Sequence, residues 1–306
     1  MIVELFFHTN TQTLEICIMR KFGVHPNWGL ARLNYKILVS MIIVHLMAIA
    51  TPFFFSWSGL VITVIIGIIS GFGITVCYHR LLTHGSFKTY RWMKRLLTLI
   101  ATLSWEGGPL TWVGTHRIHH KYSDQEGDPH TPNHGFDWAH MGWMLVRTPE
   151  GQNALDYTKD LQRDSWMLWI QKYFWITQVV LALILYALGY LIGGTDLAAS
   201  WVIMGVGLRT TLIFHWTWMI NSLAHTWGYR NFETKDGSRN LPLVLSLITI
   251  GEGYHNNHHR YQKSAAHGLK PLEIDLTYLV IKFLEKVGLA WDVFVPDRDK
   301  LEYDSS

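Results

Sequence analysis

Eight histidines fall in three short segments of this 306-residue chain: His79 and His84, spaced by five, then His116, His119 and His120, then His255, His258 and His259. Imidazole is the commonest metal-ligating side chain and suits iron, copper, nickel and zinc. Eight converging imidazoles exceed what one such ion needs. The pattern points to two metals held close together, and to redox chemistry rather than a structural ion. In the second and third segments the spacing is i, i+3, i+4, which on a helix gives three side chains one face. Histidine is abundant, at 17 residues, but abundance alone does not order it into two like-spaced triplets and a pair.

The elements that position these residues belong to a membrane protein. Hydrophobic residues make up 49% of the chain and charged residues 16%, with 15 Trp, 13 Tyr and 14 Phe. A soluble domain carries about 25% charged residues. Four apolar stretches, 37–57, 58–78, 173–193 and 200–220, each give about 31 Å of helix, enough for a hydrocarbon core of about 30 Å. The first three hold no Asp, Glu, Lys or Arg. The fourth holds Arg209 and His215, and a buried arginine there needs a partner or a water path. Every other Lys and Arg lies in 1–36, 79–172 or 221–306. By the positive-inside rule both termini and the central segment are then cytosolic, on one side with all three histidine segments.

The expected fold is all-α and integral to the membrane. Four transmembrane helices form two hairpins (37–78 and 173–220), and a helical cytosolic cap (79–172 and 221–306) holds a di-metal site. No repeat or linker divides the chain, so one domain is expected. The apolar runs 96–103 and 241–250 are too short to span and read as helices lying on the membrane. Residues 1–36 read as a mixed polar arm with room for an interfacial helix. Residues 3–7 are apolar but follow no positive region, so no secretory signal is expected. Cys17 and Cys77 are too few for a disulfide scaffold or a metal cluster. The net charge of +3, with no basic arm, argues against a nucleic-acid partner.

The three segments and the two-hairpin layout resemble the membrane-bound fatty acyl desaturases, in particular the stearoyl-type delta-9 group. Further motifs carry the resemblance: Asp124-Gln125-Glu126-Gly127-Asp128-Pro129-His130, Gly142-Trp143-Met144-Leu145, Asn221-Ser222-Leu223-Ala224-His225 and Gly251-Glu252-Gly253-Tyr254. The resemblance covers roughly residues 36–292. The resemblance implies two iron ions (Fe2+/Fe3+) on nine ligands: His79, His84, His116, His119, His120, His225, His255, His258 and His259. It further implies that Asn221 reaches one iron through a water. It implies O2-dependent insertion of a cis double bond into a long saturated acyl chain, with Trp112 and Trp218 at a bend in the substrate tunnel. By resemblance the span-two face carrying Gly67 and Gly71 closes the tunnel's methyl end, although Gly-x-x-x-Gly is also a helix-packing motif.

Asp124, Asp128, Glu252 and His130 are candidates to orient the ligands, since metal-bound histidines need such partners. His45 reads as a packed helix residue, His215 as a tunnel or packing residue, and His8, His25, His134, His140 and His267 as surface or loop residues. The electron donor must be a separate protein, ferredoxin or cytochrome b5, and the basic stretch Lys88, Arg91, Lys94 and Arg95 could steer an acidic carrier. Animal acyl-CoA desaturases carry an Arg-Asp pair just before the second histidine segment. Gly114 and Thr115 stand there in this chain, which favours an acyl-lipid substrate and ferredoxin over acyl-CoA. Two other readings are a membrane hydroxylase on similar histidines and a metal transporter. Transport sites belong near the bilayer midplane, whereas these histidines lie at or beyond the span ends.

Overall fold

The computed structural model describes residues 33–146 and 153–304. The arm up to residue 32, with Cys17, His8 and His25, lies outside the described residues. Helix α1, Tyr35–Ala50, is followed by a 3-10 turn at Thr51–Phe53 containing Pro52. Helix α2, Trp57–Phe72, starts at Ser56, whose hydroxyl accepts from the Gly59 N–H as an N-cap. Beyond Phe72 the helix widens into π turns over Gly73–Thr83. Helix α3, Arg91–Thr102, packs across that π segment. A Cβ on Gly73 would lie 2.6 Å from the Ala101 backbone, so only glycine permits the approach.

Helix α4, Pro109–Tyr122, carries the second histidine segment. Proline suits its first turn, and Gln171 Oε1 accepts from the Leu110 and Thr111 N–H groups left over there. Gln171 belongs to helix α5, Ser165–Tyr173. Helix α6, Ile176–Val202, passes through π turns at Ile203–Leu208 into helix α7, Arg209–Ser222, and a 3-10 turn at Leu223–His225. Helix α8, Leu243–Ile248, helix α9, His255–Arg260, and helix α10, Leu276–Lys286, complete the helical part. Lys88–Thr89 pairs antiparallel with Ala290–Trp291, fastening the C-terminal segment beside the first histidines.

Three helical runs are long and apolar enough to cross a membrane: Tyr35–Phe53, Trp57–Thr83 and Ile176–His225. They expose Leu46, Ile49, Val61, Leu183, Leu191 and Ile192, side chains that belong against lipid rather than water. The third run spans 50 residues and departs from helical geometry at Gly193 and Gly194. Gly194 has φ +76°, a left-handed value that suits glycine. The chain doubles back there, for a Cβ on Gly189 would lie 2.8 Å from Ala198 Cα. Residues 194–199, which join the third and fourth apolar stretches, shrink to this glycine turn, with Thr195 onward already helical.

Arg209 is fully buried, and its partners are neutral. Its Nε donates to Gly205 O (3.0 Å), one terminal nitrogen to Gln178 Oε1 (2.8 Å) and the other to Leu103 O. Carbonyl and amide dipoles thus take the place of a carboxylate.

Gly73→Ala should destabilise the protein by about 1–3 kcal/mol, because the Ala101 backbone in its way cannot move aside. Gly67→Ala should be near neutral, since its Cβ would meet only Arg209 Cγ at 3.7 Å. Thermal melts of the two variants in detergent should separate them, and equal melting temperatures would contradict the close approach.

Candidate metal centre

Nine buried or part-buried histidines form two groups in which one ring nitrogen from each lies within 4.8 Å of the others: His79, His84, His116, His120 and His258, and His119, His225, His255 and His259. The helix spacing explains the division. On α4 the i, i+4 pair His116 and His120 enters the first group and His119 the second. On α9 the i, i+4 pair His255 and His259 enters the second group and His258 the first. The spacing of five in His79 and His84 also has a cause. They lie at the end of the π segment, where hydrogen bonds run i to i+5, and the His84 N–H donates to His79 O (3.2 Å).

Facing nitrogens are close. His79 and His258 Nε2 are 3.0 Å apart, His258 and His120 2.9 Å, His120 and His116 3.0 Å. In the second group His225 and His255 Nε2 are 3.0 Å apart, and His119 and His259 3.4 Å. Carboxylates fix which nitrogen carries the proton, because an ionised carboxylate only accepts. Nδ1 of His119 donates to Asp128 (3.0 Å), of His225 to Asp124 (3.0 Å), of His259 to Asp236 (2.7 Å) and of His79 to Glu252 (2.5 Å). The Nε2 atoms of His119 and His259 therefore both present lone pairs, facing each other across 3.4 Å. That contact is repulsive unless a cation lies between them, and imidazole–metal distances of about 2.0–2.1 Å fit the gap.

Burial disfavours protonation at six of these rings and leaves them able to ligate. Desolvation pushes His84, His116, His120, His255 and His258 well below the usual histidine range, and His119 down to about 3. The Nδ1 atoms of His120, His255 and His258 and Nε2 of His84 have no hydrogen-bond partner. The residues present thus fit two transition-metal ions.

An apolar cavity adjoins both groups. Its wall includes Gly71, Trp112, Asn221 and Ile250 together with His79, His116 and His255. A Cβ on Gly71 would lie 2.7 Å from the end of Ile250. Gly67 is outside the lining and packs on Arg209. Trp218 is outside it too, buried at 3% exposure in an apolar cluster with Met41, Val44, Leu145 and Phe214. His215 also faces away, within a chain of imidazoles. Its Nε2 meets His45 Nε2 (3.3 Å), and its Nδ1 meets His140 Nε2 (3.0 Å).

Of the orienting candidates, Asp124, Asp128 and Glu252 pair with a histidine as described. His130 lies beside Asp128, ring to ring with His119 at 4.2 Å. Four further residues escape the sequence reading. Asp236 lies 23 positions from His259, and no spacing announces the pair. His267, read as a surface or loop residue, is fully buried, its ring 4.3 Å from His258, because the loop after α9 folds back under the cap. Asn257 is buried and bonded to Asn231, Asn240, Glu273 and His267 O, which anchors the six-residue α9. Glu106 accepts from Trp112 Nε1 (2.9 Å) and Thr217 Oγ1 (2.6 Å). It was findable as the one charged residue between Arg95 and His116. The basic stretch is partly compensated. Arg91 and Arg95 converge on Asp164, and Lys88 pairs with Asp292.

Residues 55–274 match the fatty acid desaturase family. The chain is 43% identical over 256 residues to a protein of Synechocystis sp. named sn-1 stearoyl-lipid 9-desaturase, covering 83% of this chain and 78% of that one. It is 39% identical to Delta-9 acyl-lipid desaturase 2 of Arabidopsis thaliana (87% and 84% covered) and 36% identical to Icosanoyl-CoA 5-desaturase of Limnanthes douglasii (84% and 71%). The chain belongs to the fatty acid desaturase family, within its delta-9 acyl-lipid branch. It is an oxidoreductase that introduces a double bond into a fatty acyl chain.

Replacing His120, His225 or His259 by Ala should each abolish desaturation and lower bound iron while the protein stays in the membrane. Product analysis beside metal analysis checks this, and full activity with unchanged iron in all three would contradict the ligand assignment.

Proposed function

We propose that this chain desaturates the delta-9 position of a membrane acyl-lipid, using two iron ions and electrons from a separate carrier. The observation that carries this reading is the apolar cavity whose wall includes histidines of both groups. An acyl chain in that cavity would share one space with both metal-ligating clusters. The proposed ligands are the nine histidines, with Asn221, on the cavity wall, acting through a water. Bound there, iron supplies the dioxygen activation and hydrogen abstraction that no side-chain acid or base can perform on an unactivated methylene. Overall, O2, two electrons and two protons convert a saturated acyl chain into the alkene and two waters.

The chain's own residues do the rest. Trp112 forms one cavity wall and is held by Glu106, which desolvation pushes up to about 7 and which also ties in Thr217 on α7. Apolar Ile74, Ile213 and Ile250 exclude water from the acyl chain. Gly71 lies on the cavity wall in the same helical run as His79, well before it, and leaves room for a long methyl end.

Acyl-lipid is favoured over acyl-CoA because Gly114 leaves no room for the arginine of the animal enzymes. A Cβ there would lie 2.0 Å from Ala154 O, and that obstacle is backbone. The two most similar of the three relatives named above are lipid desaturases by name, the third a CoA desaturase. The proposed topology is four spans in two hairpins, the second folded at Gly193–Gly194, with the cap and both ends cytosolic, in a single domain. A cleft lined by His84, Lys88, Lys94 and Arg117 gives a small acidic carrier, ferredoxin before cytochrome b5, an approach to the first group.

Expression in a desaturase-deficient host, with the new double bond located by mass spectrometry, tests the reading. A delta-9 alkene in glycerolipid is expected, and an oxygenated product would favour hydroxylation instead. In the same host Gly71→Leu should shift products toward shorter acyl chains by several-fold at unchanged protein abundance. An unchanged chain profile at reduced abundance would mean that Gly71 serves helix packing only.

A further inference from the structure

The two histidine groups differ in what stands behind them. In the group of His119, His225, His255 and His259, three of four rings donate Nδ1–H to a carboxylate: Asp128, Asp124 and Asp236. Those carboxylates are otherwise held by neutral donors. Asp128 accepts from the Asp124 and His130 N–H groups, Asp124 from Gly237 N–H, and Asp236 from Ser238 N–H and the Thr234 hydroxyl. Among the described residues no lysine or arginine forms an ion pair with any of the three. In the group of His79, His84, His116, His120 and His258, one ring of five has a carboxylate partner. That carboxylate, Glu252, is compensated by Arg80 at 3.0 Å, and Arg80 in turn contacts Asp275 at 3.1 Å.

A carboxylate behind an imidazole fixes its tautomer and raises its basicity as a ligand. Negative charge in a low-dielectric interior also attracts a cation directly. Access differs in the same sense. His84 lines the cleft with Lys94, Arg117 and Asp160, whereas all four rings of the second group are buried.

We propose that the two groups hold their ions unequally, and that the group backed by Asp124, Asp128 and Asp236 binds the tighter, slower-exchanging one. This rests on the reading that both groups hold iron. Asp236 is then a positioning residue for metal retention, and the first group is the labile half of the centre.

The test loads the full chain in detergent with ferrous iron, challenges it with bathophenanthroline disulfonate and follows release by absorbance. Two phases of equal amplitude are expected. Asp236→Asn should accelerate the slow phase alone by about 10–100-fold, and Glu252→Gln the fast phase alone. Asp128→Asn should repeat the slow-phase effect, so the proposal does not depend on one variant folding, and an unchanged fast phase reports an intact cap. A single phase for two irons, or acceleration of the fast phase by Asp236→Asn, would overturn the proposal while leaving the di-iron reading standing. Fewer than two irons per wild-type chain would overturn both.

Discussion

Nine imidazoles packed nitrogen to nitrogen need a frame that fixes each ring, and the buried residues around them are built to hold them so. Every Nδ1–H given to a carboxylate turns an Nε2 lone pair inward, and the opposed lone pairs of His119 and His259 at 3.4 Å do not stay together without support. The support is a set of buried hydrogen bonds with high sequence separation. Arg80 reaches Glu252, Asp275 and Ala265 O, binding the end of the second span to the third histidine segment. Arg117 reaches Leu82 O, Tyr157 O and Asp160, binding α4 to the same end. Removing one partner from such a network leaves a buried polar group unmet, which costs about 1–3 kcal/mol and more when it is charged. Backbone strain is spent here too, since Asp124, which orients His225, has φ +57°.

The membrane imposes the complementary constraint. A helix in lipid must satisfy its own backbone, and polar side chains within it need partners. The π turns of Gly73–Thr83 serve both needs. They keep the backbone bonded while rotating His79 and His84 onto one side, which an α-helix would not do at a spacing of five. The buried Arg209 ties three elements together through carbonyl and amide oxygens, so the run Ile176–His225 is fixed against the end of α3 without a carboxylate partner.

Residue types and short periodicities carried what was legible in the sequence. The i, i+3, i+4 triplets, the apolar stretches and the carboxylates near the histidines are local patterns, and local patterns survive in one dimension. The division of nine histidines between two groups is not local. It depends on how α4 and α9 cross, and each helix gives its i, i+4 pair to a different group. Asp236 could not be read because its partner is remote in sequence. His267 looked like a loop residue because nothing in its neighbours shows that the loop folds inward. Gly67 and Gly71 share a helix face on paper. In three dimensions one meets Arg209 and the other the cavity, because the neighbouring elements change within one turn.

Glu106 couples the histidine segments to the cavity wall. A carboxylate that accepts from Trp112 on α4 and from Thr217 on α7 joins the helix of the second histidine segment to the helix that ends at Asn221 and His225. The ionised form accepts both bonds with its two oxygens, while desolvation works against that charge and raises its pKa to about 7. The cost makes sense only if the link is worth keeping. A neutral, apolar wall would pack as well but would not fix the indole relative to α7. Because Trp112 lies one helical turn from His116, tilting the indole would disturb the cavity wall and a proposed ligand together. One buried carboxylate therefore fixes the cavity wall relative to the helix of the second histidine segment.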